Sequence, residues 1–188
     1  ESWQKFSANK KGEVRFGLAA IKGMGDAAAQ AIINEREKNG PYKTIFEFAQ
    51  RVNLSAVNRK AFESLALSGG FDNFGIKREQ YFGVNSKGDV FLDTLIRYGQ
   101  LYQAEQAEAR NSLFGDLDSV IVSTPPVPQA EGWSAIERLN KERDLVGIYI
   151  SGHPLDDYRI VLANLCNTHC KELGDKQELF KKGGRVTV

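Results

Sequence analysis

Cysteine, histidine, methionine and long apolar runs are all scarce in this 188-residue chain, and each scarcity excludes something. Two cysteines, Cys166 and Cys170, cannot build a disulfide framework, which removes the small cross-linked secreted scaffolds and fits a reducing cytoplasm. With them, His169 offers zinc-ligand types on one helical face, but no companion Cys or His pair closes a four-ligand site, so no metal is expected. No apolar run comes near the roughly 20 residues that a membrane-spanning helix needs, so no membrane partner is expected. Met24 is the only methionine, and the chain opens on Glu1-Ser2-Trp3 and stops on the strand-like Arg185-Val186-Thr187-Val188. An excised piece of a larger protein is the expectation. A formal net charge of +1 supplies no global field toward any partner.

What is present is unevenly spread. Residues 1–82 carry 13 Lys/Arg against 9 Asp/Glu, residues 83–132 carry 3 against 7, and residues 133–188 carry 9 against 8. The basic excess coincides with Lys22-Gly23-Met24-Gly25, which is followed by an Ala-rich helical run from Asp26 to Lys38. Two glycines one residue apart allow a tight turn, and the amides of the next helix's first turn lack intrahelical partners. Together with the positive end of the helix dipole, they form a site suited to an anion. An apolar run before and an amphipathic run after complete a helix-hairpin-helix pattern, a unit that holds nucleic-acid phosphates without reading bases. On these residues alone, a plain structural turn is the open alternative.

A mainly α chain follows from the rest. Residues 6–16 read as an extended or hairpin lead-in, and Asn39-Gly40-Pro41 stops the first long helix. Residues 45–49, a turn at Val52–Ser55, and a helix from Ala56 to Ser68 make a second, similar pair, so residues 1–82 hold two helix-hairpin-helix units in tandem. Val90 to about Ala109 predicts a long helix with Phe91, Leu92, Leu95, Ile96, Leu101 and Tyr102 inward. It belongs to a segment 83–118. Residues 119–132 are a Pro-rich connector, either wrapped on a surface or an exposed tether. Ser134 and Glu137 form a capping box opening a helix to about Ile150, and residues 133–182 are read as helical before a strand begins at 183–188.

Four phrases then stop being generic: GLAAIKGMGDAAAQAIINE at 17–35, FESLALSGGFDNFGIKREQ at 62–80, SLFGD at 112–116 and ERDLVGIYISGHPLDDY at 142–158. In this order they resemble the C-terminal portion of the bacterial replicative DNA polymerase III alpha family, the C-family polymerases. The resemblance implies a tandem helix-hairpin-helix domain on double-stranded primer-template DNA, an internal peptide for the sliding clamp, and the truncated first strand of an OB fold at 183–188. It also implies other subunits of the replicative holoenzyme as partners. The family's metal-binding aspartates lie well upstream, so no catalytic residue and no cofactor are expected here, and Mg2+ belongs to the parent polymerase. Asp116 with Asp118 and Asp156-Asp157 sit without the paired-carboxylate context that two-metal phosphoryl transfer uses. Ser151, His153 and Asp156 contain hydrolase-triad types, but six consecutive residues around a helix break read as a local turn.

The candidate DNA-binding residues are Lys22, Gly23, Met24 and Gly25 in the first hairpin, Asn58, Arg59 and Lys60 opening the last helix of the second, and Lys43. Lys77 and Arg78 are lesser candidates. Asp26 stands at the first helix start, where it favours the dipole but repels a phosphate. For the clamp, Arg110, Asn111, Ser112, Leu113 and Phe114 align with the family's peptide, Leu113 and Phe114 as anchors. Arg110 occupies the place of a glutamine. Leu113-Phe114 pinning the long helix to the core is the alternative. Two rival functions remain: a helix-hairpin-helix glycosylase, opposed by the lack of any Asp between Asp26 and Asp72, and an interaction scaffold whose hairpins only pack protein.

Overall fold

A computed structural model describes residues 2–8, 11–111 and 122–166. The lead-in is a two-stranded antiparallel ladder: β1 (Ser7–Ala8) pairs with β2 (Val14–Arg15), Ser7 opposite Arg15 and Ala8 opposite Val14. The Phe6 and Phe16 rings meet edge to face at 4.6 Å beneath it. A single 3-10 turn at Leu18–Ala20 leads to α1 (Asp26–Asn39), which stops at Gly40 ahead of Pro41. α2 (Ile45–Arg51) is capped by Thr44, whose hydroxyl accepts the Glu47 amide at 3.1 Å, while Glu47 accepts the Lys43 amide at 2.8 Å. α3 (Arg59–Ser68) begins three residues after Ala56, the expected start, because Asn58 Oδ1 accepts the Ala61 amide at 3.0 Å and fixes the helix start there.

α4 (Phe91–Asn111) turns Phe91, Leu92, Leu95 and Tyr98 inward. Leu101, expected inside, is 52% exposed. It falls off the stripe and lines a groove with Val122, Pro125 and Pro126 instead. α5 (Ala135–Val146) opens on the Ser134 cap, with the Glu137 amide 3.2 Å from the hydroxyl. It ends at Gly147, not near Ile150: the glycine takes φ +84° and its amide donates to Arg143 O at 2.7 Å. Residues 122–132 of the Pro-rich connector are wrapped on the surface. Gln80 Nε2 donates to Pro128 O at 3.0 Å, the Phe82 and Trp133 rings stand 5.6 Å apart, and Val122 and Val127 pack on the core.

Glu1–Tyr149 forms one unit, whose core collects both helix pairs and α4. Phe48 lies at its centre, 5.3 Å from the Phe62 ring, 5.1 Å from Phe71 and 4.9 Å from Tyr42. Gln103 of α4 donates its amide to Ala49 O, Gln50 O and Val52 O at 3.2, 3.0 and 2.9 Å, satisfying the carbonyls that end α2. In the second unit, a 3-10 turn at Asp156–Tyr158 runs into α6 (Arg159–Leu165). The chain is thus mainly α, and the OB strand expected at 183–188 lies outside the described residues, as does the helical region beyond Cys166.

Arg78, a lesser phosphate candidate in the sequence, is instead a core cation only 6% exposed. Its Nη1 donates to Glu142 Oε2 of α5 at 2.8 Å and to Leu67 O at 3.2 Å. Nε and Nη2 grip both oxygens of Asp72 at 2.9 and 2.6 Å. Burial alone would lower the Arg78 pKa, but the hydrogen bonds to Asp72 and Glu142 outweigh it and hold the pKa above the ordinary arginine value. Glu142 is wholly buried.

Glu142→Ala leaves the guanidinium buried with one partner fewer, and urea unfolding should show a loss of about 3 to 5 kcal/mol. The Arg78→Met, Glu142→Leu double variant should recover most of it. Tyr42 gives a pH signature: burial, then the Glu35 carboxylate, push its phenol up to about 12. A raised pKa means the neutral phenol is the favoured folded form. Its contribution should be complete below the ordinary value near 10 and fade as pH rises toward 12, readable as a late phenolate absorbance step absent from Tyr42→Phe.

Candidate nucleic-acid interface

The first hairpin is open on one side and firmly packed on the other. Gly25 takes φ −76° and ψ 155° as the residue before α1, no side chain caps the helix behind it, and nothing stands within 4 Å of where a Cβ would be. Gly25, Asp26 and Ala27 are exposed, so the start of this 14-residue helix carries no side-chain cap and lies at the surface. Asp26, whose charge opposes an anion there, is exposed and accepts a long contact from Gln4 Nε2 at 3.4 Å. Gly23 takes φ +89°, and a Cβ there would lie 2.5 Å from Ser64 Oγ and 3.3 Å from two carbons of the Lys60 stem. Only glycine both adopts that conformation and lets α3 approach so closely.

These contacts re-sort the expected residues. The Lys22 side chain is exposed, but its amide donates to Leu145 O at 2.9 Å and its carbonyl accepts from Ser64 Oγ at 2.9 Å. Met24 at 5% exposure packs its apolar side chain into the core, and its amide donates to Ile21 O at 3.0 Å. Lys60, from the second helix pair, runs its stem across Gly23 with its ammonium 3.4 Å from Glu63. That places a cation of the second helix pair beside the first hairpin, a juxtaposition the spacing in sequence does not reveal. Ser64, which sits beneath the turn, was missed for the same reason.

The second helix start is arranged differently. Asn58 already fills it as a cap. Arg59 bonds Asp93 of α4 through Nε at 2.6 Å and Glu63 through Nη1 at 3.3 Å, and the Asp93 hydrogen bond raises its pKa further. Lys43 is exposed at the start of α2, its amide engaged by Glu47. Of the clamp candidates, the backbone of Arg110 and Asn111 forms the end of α4. Ser112, Leu113 and Phe114 lie outside the described residues.

Among the described residues no three Asp, Glu, His or Cys side chains converge on a position that could hold a metal ion. His169 and Cys170 fall outside them. Around Ser151, His153 and Asp156 the chain makes a local turn: Asp156 accepts the His153 amide at 2.7 Å, His153 Nδ1 accepts the Leu155 amide at 3.2 Å, and Arg159 pairs with Asp156 at 2.9 Å. The His153 amide, then Arg159, hold the Asp156 carboxyl below the usual aspartate range. Among the described residues no helix is long and apolar enough to cross a membrane.

The two glycines should respond oppositely to alanine. Gly23→Ala forces a β-carbon into the left-handed region and against Ser64, and thermal or urea unfolding should register a loss of about 1 to 3 kcal/mol. Gly25→Ala should stay within about 0.5 kcal/mol of the parent chain.

Comparison with known proteins agrees with this geometry. A family model described as a helix-hairpin-helix motif matches residues 1–81. The DNA polymerase III subunit alpha of Pasteurella multocida is 34% identical over 175 residues, covering 89% of this chain and 14% of that protein. That of Treponema pallidum is 37% identical over 152 residues, 81% of this chain and 12% of that protein. That of Deinococcus radiodurans is 37% identical over 146 residues, 78% of this chain and 10% of that protein. The chain therefore spans between 10 and 14% of the length of these relatives. It is a homologue of one segment of the DNA polymerase III alpha subunits, opening with their helix-hairpin-helix motif.

Proposed function

We propose that this chain is a non-catalytic segment of a bacterial replicative DNA polymerase that holds the duplex backbone just behind the primer end, without sequence preference, and helps tether the enzyme to the sliding clamp. The observation that carries the reading is the uncapped start of α1 behind Gly25, open to solvent, with the Lys22 side chain exposed and Lys60 crossing the hairpin. Backbone amides at a helix N-terminus, joined by ammonium groups, suit a phosphate, which is the same at every step of a duplex. The second helix pair supports the first more than it duplicates it, since its helix start is capped by Asn58. Clamp attachment is assigned to Arg110–Phe114, where a leucine and an aromatic residue would supply the buried anchors.

A second reading has its own observation. Gly23 lies against Ser64, and the Lys22 amide is engaged by Leu145, so the hairpin also packs protein. A scaffold of that kind needs no open helix start, and the open space at Gly25 favours the phosphate.

Fluorescence anisotropy of a labelled primer-template duplex, titrated with the 188-residue chain at several salt concentrations, separates the two readings. Expected is binding whose affinity falls with salt, by about 0.9 in log K per log salt for each phosphate neutralised. Gly25→Pro keeps the φ that Gly25 already has, removes an amide and fills the open space, and should weaken binding at every salt concentration. Lys60→Ala should flatten the slope by about one phosphate. No binding at low salt would sink the duplex reading.

A further inference from the structure

Two groups far from the first hairpin in sequence hold it in place. Ser64 is completely buried in α3, between Phe62 and Leu65 on the apolar side of that helix. A buried helical serine commonly returns its hydroxyl to the carbonyl one turn back. Ser64 instead donates across 42 residues to the Lys22 carbonyl, at 2.9 Å. On the other side, the Lys22 amide donates at 2.9 Å to Leu145 O in the last turn of α5. That carbonyl belongs to a helix end whose acceptors have no intrahelical donor, so each end satisfies the other.

Together the two bonds fix both peptide groups that flank Lys22. The direction in which Gly23, Met24 and Gly25 then leave, and hence the direction in which the start of α1 faces, follows from them. α5 is itself held by the buried Glu142–Arg78 pair, one turn before Leu145. We propose that Ser64, and α5 through the Leu145 carbonyl, are positioning groups for the phosphate grip of the first hairpin. A helix that follows the connector thus completes a site formed near the start of the chain. The inference rests on the duplex-binding reading above and adds to it which residues set the geometry. Ser64 touches no phosphate; it sets the fraction of molecules whose hairpin is ready to bind, and apparent affinity scales with that fraction.

Ser64→Ala, compared with the unaltered 188-residue chain, tests this by three readings: duplex affinity against salt, thermal unfolding, and the amide resonances of Gly23 and Gly25. Expected are an affinity lower by about two- to tenfold, the range a net hydrogen bond supports, shifted Gly23 and Gly25 resonances in the free protein, and a chain still fully folded at the assay temperature. Unchanged affinity, or an affinity loss that only tracks the unfolded fraction while both glycine resonances stay put, overturns the proposal. If the variant does not fold, hydrogen exchange on the unaltered chain decides. A Lys22 amide protected like its helix neighbours, and further protected by duplex, supports positioning, while fast exchange in the presence of duplex overturns it. Failure of the unaltered chain to bind would sink the duplex reading and this one with it; binding weakened by Gly25→Pro but not by Ser64→Ala sinks this one alone.

Discussion

A buried guanidinium organises the half of the first unit that the hairpins do not build themselves. Arg78 reaches α5 through Glu142, the end of α3 through Leu67 O, and the turn after α3 through Asp72. A fully buried carboxylate is tolerated only with such a partner, since taking either charge out of water alone costs several kcal/mol. Replacing the pair by apolar side chains need not weaken the fold. What the pair supplies is register: α5 cannot slide or rotate without breaking a directional charge-assisted bond, whereas an apolar contact between Leu139 and its neighbours permits both. With α5 held in register, its last carbonyls arrive where Lys22 can donate to one of them.

The two helix pairs resemble one another in sequence and differ in chemistry. In the second, Asn58 and Arg59 have structural partners, Ala61 N and Asp93, so its helix start is closed by its own side chains. In the first, glycine stands where a capping side chain would, and the helix start is left for something from outside. A capping side chain stabilises a helix by about 1 kcal/mol, so leaving α1 without one carries a cost in stability. The core contacts of Ala28, Ala29, Ile32 and Ile33 can bear it. That one open and one closed helix start lie side by side, bridged by Lys60 over Gly23, makes the pair a single asymmetric surface.

Much of this was legible in sequence. Glycine and proline mark the ends of α1, the Ser134 cap marks the start of α5, and the lead-in at residues 6–16 reads as extended or hairpin, all local signals with local causes. The helix-hairpin-helix pattern and the polymerase resemblance were legible too, because they depend on short spacings. What escaped depends on partners distant in the chain. Arg78 looks like any surface arginine until Glu142 is brought to it from 64 residues away. Met24, flanked by glycines, reads as part of an exposed turn, yet its apolar side chain follows the core. Ser64 carries no signal at all in a stripe of small and apolar residues, and α3 starts after Ala56 because Asn58 caps it through the Ala61 amide.

The small number of cations at the hairpin bears on how the parent enzyme would use this segment. Lys22 and Lys60 border the turn, and the rest of the basic excess of residues 1–82 is partly consumed within the fold, with Arg51 held by Glu35 and Glu47 and Arg78 in the core. Few neutralised phosphates release few counterions, so a grip built this way is weak and quickly reversible at physiological salt. For a polymerase that must advance by one base pair at each cycle, a weak backbone grip imposes little barrier to sliding. Under the proposed function, retention on DNA would come from the clamp tether, which would raise the local concentration of such a weak site. Weak contact at the hairpin and attachment through Arg110–Phe114 are complementary parts of one proposed mechanism, each of limited use without the other.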